Sequence, residues 1–133
     1  MPANTTPIFA LTPQLDWARI TATTTDKTGG TPANLQTLVI AATNGTKVTQ
    51  IGFKFVGTST AGTLLIFITD TDGTTLRLFD EILITAVTSS NTALSARQVN
   101  FYSDLQLKSG QRILVGATTV NTNIDVFAQI GDF

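Results

Sequence analysis

The chain contains neither cysteine nor histidine. The first absence excludes disulfides and thiolate nucleophiles. The second removes the side chain most used as a general base and as a metal ligand. Charge is scarce as well: 13% of the residues are Asp, Glu, Lys or Arg, against ~25% in an average soluble domain. The net charge is −1, and the basic residues are scattered, so neither nucleic acid nor membrane is expected as a partner. No stretch approaches the ~20 apolar residues of a membrane helix. The opening lacks a basic start and a long apolar run, so no secretory signal is expected.

Threonine fills most of the polar balance. It is β-branched and favours strands, and its hydroxyl tolerates either water or a hydrogen bond. A surface rich in Thr and poor in Lys and Glu costs little side-chain entropy to immobilise. Interfaces are depleted in the same two residues, so this composition suits either a plain β-protein or one much of whose surface is covered by other subunits.

The 133 residues fit one domain. Residues 1–15, with Pro2, Pro7 and Pro13, read as an extended N-terminal arm, and residues 16–133 as a single β-sandwich domain. The centre is Val48 to Thr69. Ile51, Phe53 and Phe55 alternate with Gln50, Gly52 and Lys54, the period of a half-buried strand. Leu64 to Ile68 is apolar throughout, which suits a strand covered on both sides, by its own domain or by a partner subunit. Gly57 to Gly62 between them reads as a hairpin loop, and Asn44-Gly45 as a second hairpin turn.

Further strands are expected at Asp16–Thr24, Leu35–Ala42, Thr74–Thr85, Arg97–Tyr102, Ile113–Thr118 and Ile124–Ile130. In the long one, Asp80 shares parity with Leu76, Leu78, Ile82 and Ile84, so a bulge near Phe79-Asp80-Glu81 is required. Phe53, Phe55, Phe67 and Phe101 are assigned to core faces. The expected class is all-β: an antiparallel two-sheet β-sandwich, jelly-roll-like, with about eight strands. An immunoglobulin-like sandwich, which usually has fewer strands, is the alternative.

Little in the chain points to catalysis. Glycoside hydrolysis needs two carboxylates facing one cleft, and most acidic residues here sit in turns or at strand ends. A serine nucleophile without histidine would need a lysine base, and no Ser-x-x-Lys motif is present. Asp70-x-Asp72-Gly73 resembles the start of a calcium loop, but the later ligands are missing and a hairpin turn accounts for the same residues. No enzyme activity, cofactor or metal is therefore expected. Trp17 and Tyr102 are the amphipathic aromatics that could serve a glycan.

The opening Pro2-Ala-Asn-Thr-Thr-Pro-Ile-Phe-Ala-Leu-Thr-Pro13, followed by Trp17-Ala18, resembles a group of small proteins encoded by tailed bacteriophages and prophages. The similarity continues through Leu107-Lys-Ser-Gly-Gln-Arg-Ile113 to Gly131-Asp132-Phe133. The resemblance implies a virion structural protein, made in the bacterial host cytoplasm and placed on the capsid surface. It further implies a capsid decoration (cement) protein, a homotrimer bridging subunits of the major capsid protein. No binding motif carries over with it. The candidate contact residues are Ile8, Phe9 and Leu11 of the arm, with Trp17, Tyr102 and Phe133. The alternative is a glycan- or receptor-binding module of a tail or fibre, using Trp17, Tyr102 and the loop Thr88–Thr92.

Overall fold

The structure, a computed structural model, describes residues 12–30 and 32–133. Among these residues there is no helix. Eight strands follow in order: β1 (Thr12–Ile20), β2 (Gln36–Ile40), β3 (Thr46–Val56), β4 (Gly62–Thr69), β5 (Leu76–Ile84), β6 (Arg97–Leu107), β7 (Arg112–Ala117) and β8 (Asn123–Asp132). They form two four-stranded antiparallel sheets. The front sheet runs β1-β8-β3-β6 and the back sheet β2-β7-β4-β5.

The pairing has a simple logic. β4 pairs with β5, β3 with β6, β2 with β7 and β1 with β8, as if the whole chain were one long hairpin. The contacts β3–β8 and β4–β7 then join these ribbons into two sheets. This is the jelly roll. Every connection except β4–β5 passes from one sheet to the other.

The core lies between the sheets. Ile51, Phe53 and Phe55 of β3 and Ile124, Val126, Ala128 and Ile130 of β8 face it from the front. Leu64 and Ile66 of β4, Ile82 and Ile84 of β5, and Ile113, Val115 and Ala117 of β7 meet them from the back. Each such large side chain contributes roughly 1.5–3 kcal/mol by burial. Phe53 and Phe55 meet edge to face, with ring centroids 6.0 Å apart, the arrangement that aromatic quadrupoles favour.

β3 and β4 are the central pair the sequence pattern suggests, but they face each other across the core. Gly57–Gly62 is therefore a link between sheets and not a hairpin loop. The same holds for Asn44-Gly45. Gly45 takes φ 94° and donates its N–H to the Ala42 carbonyl at 2.9 Å, yet β2 and β3 belong to different sheets. A local turn signal fixes the turn and not the partner. Asp70–Gly73 does close a hairpin, the β4–β5 one. The bulge expected in β5 is present: Ile66 pairs with Asp80 and Phe67 with Leu78, which leaves Phe79 unpaired. β1 begins at Thr12 rather than Asp16, and β6 runs on to Leu107.

The apolar run of β4 is covered on both sides by the protein itself. Leu64 and Ile66 face the core, whereas Leu65 and Phe67 point outward and are still fully buried. The β1–β2 connection lies over them. Thr24 donates its N–H to the Ala117 carbonyl at 2.8 Å, and Lys27 reaches Glu81 on β5 at 2.7 Å. Leu65 sits in register between Gly116 and Glu81, beneath this crossing. A Cβ at Gly116 would come 2.7 Å from Leu35 Cδ2 and 3.0 Å from Thr24. The back sheet therefore has its own lid, and the front sheet has none among the described residues.

Candidate functional site

The uncovered outer face of the front sheet is a grid set by strand register. One row is Leu15, Gln129, Gln50 and Phe101 across β1, β8, β3 and β6. The next is Trp17, Phe127, Gly52 and Val99, and the third is Arg19, Asp125, Lys54 and Arg97. Leu15 is 46% exposed, Trp17 58% and Phe101 78%, in a chain whose inner faces are almost dry. Ile40, Phe79 and Leu83 of the back sheet are exposed as well, so the two faces differ in what covers their centres, and a face with large apolar groups and no cover is the usual mark of a contact surface.

Phe127 organises the middle row. Its ring and the Val99 side chain fill the space over Gly52 that a side chain there would need. The Trp17 ring leans on it at 5.5 Å between centroids. The Arg97 guanidinium sits 5.6 Å from the same ring, within cation–π range. Phe127 is thus held in place while Trp17 and Arg97 remain at the surface.

The charged row has one matched pair and two spare cations. Arg19 grips Asp125 with a two-pronged contact, Nε to Oδ1 at 2.7 Å and Nη2 to Oδ2 at 3.0 Å. The hydrogen bond from Arg19 holds the Asp125 carboxyl below its ordinary pKa. Lys54 and Arg97 have no carboxylate partner among the described residues. Lys54 donates instead to the Ser95 carbonyl at 3.0 Å, which fastens the β5–β6 loop to this end of the sheet.

The expected contact residues fall in different places. Trp17 is on the grid. Tyr102 is not: its side chain packs against the core on the other side of the sheet, at the opposite edge. Its hydroxyl donates to Asp80 Oδ2 at 2.8 Å, beside Asn100 Nδ2 at 2.9 Å. Burial, together with the Asp80 carboxylate, pushes the Tyr102 pKa well above the ordinary phenol range. Burial of Asp80 works against its ionisation, but hydrogen bonds from Tyr102, Asn100 and the Glu81 amide outweigh it and lower its pKa. The two residues clasp the edge of the back sheet to the edge of the front sheet. Trp17 and Tyr102 therefore share no surface for a glycan. Phe133 is half-buried and tied down through its N–H to the Gly45 carbonyl at 3.1 Å. Ile8, Phe9 and Leu11 lie outside the described residues.

Phe101 is a correction. Its parity with Val99 suggested a core face, but it points outward and is mostly exposed. Both parities of β6 carry an aromatic; the register sets Phe101 opposite the outward Gln50 of β3, and Tyr102 turns inward to Asp80. Sequence reading also missed Leu15, Arg97 and Phe127 as parts of one surface, because their proximity arises from β1–β8–β3–β6 pairing between distant segments.

The described residues contain no group of three or more Asp or Glu side chains able to hold a metal ion. Asp72 is already occupied by its own turn, accepting from the Thr74 and Thr75 amides and the Thr75 hydroxyl. A shallow, open groove of about 370 Å³ beside Phe101 is lined by Phe79, Tyr102, Ser103, Asp104 and Leu105. No family model matches the chain, and no curated protein matches it.

Proposed function

We propose that this chain is a non-enzymatic structural protein of a bacteriophage virion, one that decorates the capsid and stabilises it by bridging neighbouring subunits, and that the outer face of the front sheet is one of its subunit-contact surfaces. The observation that carries the contact surface is the asymmetry of the two sheets. The back sheet exposes Ile40, Phe79 and Leu83 on its edge strands but buries the outward Leu65 and Phe67 of central β4 beneath the protein's own β1–β2 connection, whereas no described residue covers the front sheet around Leu15, Trp17 and Phe101. An apolar face left open by a fold that covers its other face suits a partner. The Thr-rich, charge-poor composition supports the same reading, and the virion setting draws on the resemblance of the opening segment. As a homotrimer, each particle-bound unit would combine several modest contacts through multivalency. The test is mass spectrometry of purified virions from the host encoding the chain. Stoichiometric presence in particles is the expected result, and absence from them overturns the reading.

A further inference from the structure

The grid on the front sheet has an internal order that says which partner it fits. Its charged row holds three cations, Arg19, Lys54 and Arg97, and one carboxylate, Asp125. The row at the other end, Leu15, Gln129, Gln50 and Phe101, is neutral, and the middle row is apolar. From this arrangement we infer that the face pairs with the same face of a second copy, about a two-fold axis lying in the interface and perpendicular to the strands. The inference deepens the proposed reading of this face as a subunit contact and rests on it.

Two face-to-face two-fold pairings keep the strands aligned. With the axis parallel to the strands, rows are preserved, and the cationic row of one copy meets the cationic row of the other. Arg19 then opposes Arg97 while Lys54 opposes Asp125, so each row still brings an excess of two positive charges against the other, and like charges in an interface are costly. With the axis perpendicular to the strands, rows are inverted. The cationic row then meets the neutral one: Arg97 over Phe101 of the second copy, Lys54 over Gln50, Asp125 over Gln129, and Arg19 over Leu15. An arginine over an aromatic ring is favourable, and a carboxylate opposite a primary amide gains a donor. In the middle row Trp17 meets Trp17 and Val99 meets Val99. An isologous contact requires this self-complementarity.

The area limits the strength. Four strands ~4.8 Å apart and three rows ~7 Å apart give roughly 400 Å² of plane, about half of the ~800 Å² per partner in a standard stable interface. The pair should therefore be weak in dilute solution and form where the chain is concentrated, as on a particle surface.

The absence of cysteine makes the test direct. Val99→Cys and Trp17→Cys are each prepared in the full chain, with Leu94→Cys, exposed and off the face, as the control. Under mild oxidation at high protein concentration, Val99→Cys and Trp17→Cys should each form disulfide-linked dimers roughly tenfold faster than the control, because pairing raises the effective thiol concentration. If neither outpaces Leu94→Cys, the pairing is overturned. If a mixture of Val99→Cys and Trp17→Cys cross-links faster than either alone, the axis is parallel to the strands and the inference fails. Both readouts use the isolated chain, so they separate failure of the pairing from absence of the chain in virions, which overturns the broader reading.

Discussion

Phe127 occupies the space that a side chain at Gly52 would need: a Cβ there would lie 2.7 Å from Phe127 Cζ, 2.7 Å from Val99 Cγ2 and 2.7 Å from the Gln98 carbonyl oxygen. The first two contacts are side chains that could shift, and the third is backbone that could not. Gly52→Ala should therefore destabilise the fold by about 1–3 kcal/mol, the range for overpacking. It should also displace Phe127 from beneath Trp17 and Arg97. Urea unfolding with Trp17 fluorescence as the probe reports both, since the folded-state emission should shift as the midpoint falls.

The lid over the back sheet makes a second prediction. Gly116 lets Thr24 and Leu35 approach β7 closely, and Gly116→Val would place methyl groups where they now pack. The β1–β2 connection should loosen while the core between the sheets persists. Hydrogen exchange should show lost protection at the Thr24 amide, which now bonds Ala117, and little change at core amides of β3 and β8.

Acid stability should be governed by three carboxylates with lowered pKa values. Asp72 is brought down to about 2, chiefly by the Thr75 hydroxyl and amide. Asp125 is lowered by its hydrogen bond from Arg19, and Asp80 by hydrogen bonds that outweigh its burial. Each favours the folded state when ionised, so its contribution is present above the unfolded value of ~3.9 and is lost as pH falls through the folded values. Asp16 has the opposite sign. Burial, helped by the charge of Asp132, raises its pKa, so ionised Asp16 opposes folding at neutral pH and this cost vanishes in acid. Asp16→Asn should stabilise the protein at pH 7 by on the order of a few tenths of a kcal/mol, given its partial exposure, and should have no such effect below about pH 3. Thermal melts of both proteins across this pH range provide the check.

These contrasts bear on what a sequence can disclose. Strand positions were legible because apolar alternation is local: β3 and β8 read correctly from Ile51, Phe53 and Phe55 and from Ile124 and Val126. The bulge in β5 was legible because Asp80 breaks the parity of four apolar neighbours. Connectivity was not, because Asn44-Gly45 signals a turn and carries no information on whether the next strand stays in the same sheet. The candidate face was hidden for a related reason. Its rows join residues more than a hundred positions apart, such as Trp17 and Phe127, and only the pairing of the chain's two ends brings them together.

Two phenylalanines that look alike in sequence should behave unlike one another on truncation. Phe53 alternates with Ile51 and Phe55, and Phe101 with Val99, so parity alone puts both in the core. In the fold Phe53 is fully buried against Phe55, whereas Phe101 is 78% exposed. Phe53→Ala would remove a ring from a close-packed interior and leave a cavity, at a cost of about 3–5 kcal/mol. Phe101→Ala should change stability by no more than about 0.5 kcal/mol, as for an ordinary surface position. Guanidinium unfolding of the two variants checks this, and equal losses would mean that Phe101 packs inside the fold and does not belong to the outer face. Because Phe101 lies opposite Arg97 in the pairing inferred here, Phe101→Ala should also slow cross-linking of Val99→Cys without lowering the unfolding midpoint. That combination separates a residue used for contact from one used for folding.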